Sequence, residues 1–201
     1  MNTQHYNYFV IAAVVASELN HAMLVAKEMS LTASNAKALT LRAGKHAIGF
    51  RAITDFINEL ANLTITSAKV INEQAVKTSR IATDSFRAEY ALQRFDLVYQ
   101  NSADAKFLSS LDVSYARTKE HYDSLHAFFN KHAKQLKEQL DELAKELRTA
   151  NVLATISRVE ASQAGVKYEQ SLNDIAHNVI EAANKIQQRV KHAQKLMDHM
   201  T

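Results

Sequence analysis

Residues 33 to 61 read ASNAKALTLRAGKHAIGFRAITDFINELA. An alanine-rich helical run enters Arg42-Ala43-Gly44, and a second helical run leaves from Gly49-Phe50. Glycine tolerates the left-handed backbone that follows a helix C-terminus, so Gly44 marks a reversal rather than a continuation. The stretch therefore reads as the tip of a tight helical hairpin, and the rest of the chain extends its legs.

Moving outward, small and apolar residues recur at alternating spacings of three and four, the signature of coiled-coil packing. Before the tip the seam is Val15, Leu19, Ala22, Ala26, Met29, Ala33, Ala36, Thr40 and Ala43. After it come Phe50, Ile53, Ile57, Leu60, Thr64, Ser67, Ile71, Ile81, Ser85, Ala88, Leu92, Phe95 and Tyr99. The second half continues through Leu108, Leu111, Tyr115, Tyr122, Leu125 and Phe129, then Leu136, Leu140, Leu143 and Leu147, and finally Leu172, Ile175, Val179, Ala182, Ile186 and Val190.

Two clusters of turn and cap residues, Asn101-Ser102-Ala103-Asp104 and Thr149-Ala150-Asn151, join the Gly44 tip as candidate breaks. They predict helices over about 3–42, 47–100, 104–148 and 152–199, near-equal lengths that suit an antiparallel four-helix bundle. The fold expected is all-α, one domain over 1–201, a rod about 70 Å long. The competing arrangement keeps one or both later breaks helical and gives an extended hairpin that must dimerise. A homodimer fits either arrangement, with a self-association patch near the tip or near Tyr122 to Phe129.

Composition agrees. The 201 residues contain no proline, only three glycines and 47% hydrophobic residues, so little interrupts helix and one core is well supplied. Absence of cysteine removes disulfides and thiolate chemistry and fits a reducing, cytoplasmic setting. The longest apolar run, Phe9 to Ala16, is shorter than the roughly 20 residues of a spanning helix, so no membrane span is expected. A net charge of +3, with acids and bases interleaved over Lys131 to Arg148, gives no reason to expect nucleic acid.

The tip resembles the signalling tip of bacterial methyl-accepting chemotaxis proteins, whose pattern reads A-x-N-A, R-A-G, G-F and L-A. Here those residues are Ala33 to Ala36, Arg42 to Gly44, Gly49-Phe50 and Leu60-Ala61, in register without a gap. Val25-Ala26, Leu31 and Ile71 extend the resemblance over about 25–71. It implies a non-enzymatic signalling or scaffold protein that docks protein partners, a chemotaxis coupling protein or a histidine kinase, through the tip. The implied partner-binding residues are Asn35, Leu39, Arg42, Gly44, Gly49 and Phe50. The pattern is departed from at Leu39, where a glutamate is usual, at Lys27, where phenylalanine is common, and at Ala47, where glycine is usual. No Glu/Gln pair stands in a methylation setting. The implied relative is therefore shortened or degenerate. Val159 to Gly165, VEASQAG, is weakly similar to a second copy of the same motif, but Val166-Lys167-Tyr168 reads as uninterrupted helix and the similarity as chance.

Glu18-x-x-His21, Asp123-x-x-His126 and Asp174-x-x-His177 share the spacing of ferritin-like di-metal sites. Ligands of that class project inward, whereas the seam phase turns His21, Asp174 and His177 outward. No phosphate loop or nucleophile elbow occurs either. Neither catalysis, a metal nor a cofactor is expected. Tyr115, Tyr122, Phe128 and Phe129 read as core or dimer contacts, and Lys185, Arg189, Lys191 and Lys195 as a solvated basic helix face. The alternative function is a purely structural or oligomerising bundle, followed by a ferritin-like metal-binding one.

Overall fold

Long uninterrupted heptads in a proline-free chain produce long helices, and each helix must cover its apolar stripe with neighbours. The computed structural model describes residues 3–102 and 104–200, with side chains described for 8–102, 104–150, 152–153 and 155–200. Five helices follow in order: α1 (Thr3–Ala43), α2 (Ile48–Asn101), α3 (Asp112–Glu146), α4 (Thr149–Gln163) and α5 (Val166–Met197). No strand occurs among the described residues. The all-α bundle expected from the sequence is the fold observed.

The helices make four legs, because α3 and α4 share one. Across the joint at Leu147-Arg148 the chain stays hydrogen-bonded, with Leu147 N–H donating to the Leu143 carbonyl at 3.0 Å and Arg148 N–H to that of Lys145 at 3.1 Å. The buried line Ala133, Leu136, Leu140, Leu143, Leu147, Ala150, Ser157, Ala161 and Ala164 passes through without a change of spacing. Thr149-Ala150-Asn151 therefore opens α4 rather than turning the chain.

The turn lies instead at Gly165, with φ 80° and ψ 154°. That backbone is accessible essentially only to glycine, and Gly165 is the one glycine of the second half. Val166 begins α5, so Val159 to Gly165 leads into a hairpin turn and is not uninterrupted helix.

Adjacent legs are all antiparallel. Lys37 pairs with Asp55 and Ser30 with Asn58 between α1 and α2. Gln74 meets Gln135, and Tyr99 meets Asp112, between α2 and α3. Lys137 pairs with Asp198, and Gln187 donates to the Leu147 carbonyl, across the α3/α4 leg and the C-terminal leg. The α1 and α5 helices close the square. Both hairpin turns, at Gly44 and Gly165, consequently lie at one end.

All nine seam residues expected on α1 are buried. On α2 the buried line runs through Ala61, Ala68, Ala75 and Ala82, with Ser67 only half-buried. Buried hydroxyls are satisfied locally: Thr64 donates to the Leu60 carbonyl at 2.8 Å, Thr78 to Gln74 at 2.9 Å and Ser157 to Leu153 at 2.6 Å. Polar side chains can thus occupy the seam without the cost of an unpaired donor.

The far end differs from the expectation. The third helix begins at Asp112, not 104, after a turn and a short 3-10 segment at Leu108–Leu111; Ala103 lies outside the described residues. At 54 residues α2 is about 81 Å long, longer than the rod expected. It outruns α1, whose Tyr8 stacks on Phe129 with ring centroids 5.1 Å apart. Beyond that stack α2 and α3 form a two-helix arm, and no residue described over 89–128 is fully buried.

The helical stretch beginning at Tyr8 is, by length and composition alone, apolar enough to cross a membrane, with a window of mean hydropathy 1.8. The run Phe9 to Ala16 understated it, because the window tolerates isolated polar residues. In this fold the same stretch supplies Ala12, Val15, Leu19 and Ala22 to the core.

Candidate functional site

The tip residues divide into two kinds. Asn35 and Arg42, seven positions apart on α1, are both exposed. Gly44 carries φ 61° and makes the reversal. Phe50 is fully buried in a cluster with Ala36, Ala43, Ala47, Ala161, Ala164 and Leu172, and half-buried Leu39 packs against the same cluster. Gly49 lies beside Glu160, whose carboxylate occupies the space a Cβ would take. Four helices converge here, and Phe50 with half-buried Leu39 packs the two turns together.

A second polar arrangement lies midway along the bundle. Glu18 on α1 flanks the seam and is 9% exposed. Its carboxylate accepts a hydrogen bond from Arg189 Nη1 at 3.1 Å and one from His192 Nδ1 at 3.0 Å, both on α5. Burial alone pushes the Glu18 carboxyl up. The hydrogen bonds and positive charge of His192 and Arg189 outweigh that effect and hold it below the usual value. An open groove of about 430 Å³ runs beside the trio, lined also by His21, Leu24, Val25, Lys185 and Gln188. Periodicity could not find this node. Glu18 and Arg189 each look like ordinary seam-flanking charges until the order of helices around the bundle is known. Arg189 is correspondingly not part of a merely solvated basic face.

The acid-x-x-His pairs do not assemble. His21 is exposed, its ring nitrogen 2.9 Å from the Ser17 carbonyl. Asp123 is exposed, and His126 contacts Asn130 and the Tyr122 ring. Asp174 and His177 are exposed and occupied by Gln170 and Glu181. Asp84 faces Arg87. Among the described residues no three His, Asp or Glu side chains converge where they could hold a metal ion.

Residues 111–201, somewhat less than half of the chain, match a ferritin-like domain. That segment is α3, α4 and α5 with the short turn before them. No curated protein and no solved structure matches the chain.

The match overturns the chemotaxis-receptor reading of the function. It sets α3–α5 beside a helical-bundle class, where a receptor tip would be the end of a simple hairpin rod. The residues present do not fit the di-metal centre associated with ferritin-like bundles: the core of this half is Leu136, Leu140, Leu143, Leu172, Ile186 and Val190, Asp123, Asp174 and His177 are exposed, and half-buried His126 lies against Tyr122 and Asn130.

Proposed function

We propose that this chain is a non-enzymatic structural bundle of ferritin-like build that works without a metal centre. The observation that carries the reading is the state of its inward carboxylate. Glu18 is ion-paired with Arg189 and hydrogen-bonded by the His192 ring, so a guanidinium and an imidazole take the place that a bound cation would have beside it. Among the described residues, every other buried polar residue is a serine or threonine, a residue type without the carboxylate or imidazole donors of a di-iron or di-manganese site. What the interior offers is packing. The absence of cysteine supports a reducing, cytoplasmic setting for such a part.

Metal titration tests the reading. Purified protein incubated with ferrous, manganous or zinc ions and then desalted should retain less than one ion per chain, with an unchanged melting temperature. A site occupied at a hundredfold excess over its dissociation constant would add about 2.7 kcal/mol of stability. Retention of two ions per chain together with such a rise would overturn the proposal.

A further inference from the structure

The end of the rod that holds both hairpin turns is charged unlike its legs. No acid occurs from Met29 to Thr54, whereas acids and bases interleave over Lys131 to Arg148. Arg42, Lys45 and Arg51 around the first turn and Lys167 at the second are all exposed. The acids that share this end, Glu160 and Glu169, are half-buried, and the Glu160 carboxylate fills the space beside Gly49. Two aliphatic side chains stand among the bases: Ile48 is 65% exposed and Val166 94%. They open α2 and α5. Helical side chains lean toward the N-terminus of their own helix, so Ile48 and Val166, with Arg51 and Lys167, lean toward the end of the rod.

We propose that this end docks on an anionic lipid bilayer, with Ile48 and Val166 seated among the acyl chains and Lys45, Arg51 and Lys167 against the headgroups. Exposed bases beside exposed aliphatics are the pairing that binds such a surface, one part by charge and the other by burial. Area favours lipid over a protein partner. Four legs, each about 10 Å across, end in a face of about 400 Å², half of the roughly 800 Å² that each partner of a standard protein interface supplies. Two protruding aliphatic side chains also need a shaped pocket on a protein, whereas a fluid bilayer admits them as they stand.

Charge sets most of the strength. Each basic side chain held at an anionic surface raises partition about fivefold, so Lys45, Arg51 and Lys167 together supply about a hundredfold. That part fades as salt shortens the Debye length below about 10 Å, while the aliphatic part persists. Docking is therefore reversible and weakens as ionic strength rises.

Co-sedimentation of the full chain with phosphatidylcholine vesicles, with and without about one-third phosphatidylserine, decides the question. The chain should pellet with the anionic vesicles and stay in solution with the neutral ones. Lys45→Ala with Lys167→Ala should weaken binding about 25-fold, a fivefold loss for each charge. Ile48→Ser with Val166→Ser should weaken it at unchanged charge. Lys131→Ala with Lys134→Ala removes the same charge from the flank of α3 and should bind like the unaltered chain. All six positions are exposed, so circular dichroism should show helicity intact in each variant. A loss from the α3 variant equal to that from the turn variant overturns the proposal, as does binding that survives both turn variants. So does a rod that ignores both kinds of vesicle, whatever acidic protein it takes up.

Discussion

The Arg189 guanidinium of α5 donates to the Glu18 carboxylate of α1 at 3.1 Å, joining residues 171 positions apart. The contact fastens the first helix to the last across the seam of the bundle. Its acceptor is nearly buried and its donor half-exposed, at 11% and 48% side-chain accessibility. Arg189→Ala should therefore cost about 1 kcal/mol, less than a fully buried charge-assisted bond because water already screens the donor. Urea denaturation reads this as a lower midpoint at unchanged slope. A midpoint equal to that of the unaltered chain would show that the pair contributes nothing.

The same node sets an acid dependence. Because the folded-state pKa of Glu18 lies below 4.5, the unfolded chain takes up its proton first as pH falls. The contribution is fully present above about 4.5 and disappears as pH drops through the folded value. The stability gap between the unaltered chain and Glu18→Gln should accordingly be constant near neutrality and shrink below pH 4.5. Thermal melts at pH 7, 5 and 3.5 would measure it, and a gap that widened in acid would contradict the assignment.

Glycine substitutions should rank by backbone, not by space. Gly165→Ala forces alanine to φ 80° and ψ 154°, and should lose about 1–3 kcal/mol. Gly44→Ala, at φ 61°, should lose about 1 kcal/mol. Gly49→Ala meets only the movable end of Glu160 and should change stability by less than about 0.5 kcal/mol. Chemical denaturation of the three variants tests the order.

At the Gly44 end, burial alone should govern. Phe50→Ala empties the centre of a closed cluster and should cost about 3–5 kcal/mol. Asn35→Ala and Arg42→Ala alter exposed side chains and should stay within about 0.5 kcal/mol. Equal losses from Phe50 and Arg42 would mean that the tip is not packed as described.

What the sequence revealed of this fold was periodicity. A seam residue announces itself through its own neighbours, which is why the α1 line from Val15 to Ala43 could be read directly. Two features needed more. Thr149-Ala150-Asn151 has the composition of a break, but an unbroken heptad on both sides keeps it helical; Gly165 lacks flanking turn residues, yet its backbone freedom alone reverses the chain. The Glu18 node was out of reach because it depends on which legs are neighbours, a property of the assembled square. The function drawn from the resemblance at the tip is overturned by the ferritin-like match to residues 111–201, not by anything at the tip itself.

The 54-residue α2 begins inside the end closed by two turns and finishes in the open arm. One continuous helix thus spans two mechanical environments. Around Phe50 to Ala75 its amides are shielded by three other legs, and their hydrogens exchange only when the whole bundle opens. From Glu89 to Asn101 they are held by one neighbouring helix and exchange through brief local fraying. Hydrogen isotope exchange along this single helix would therefore show two lifetimes, divided near Ala88.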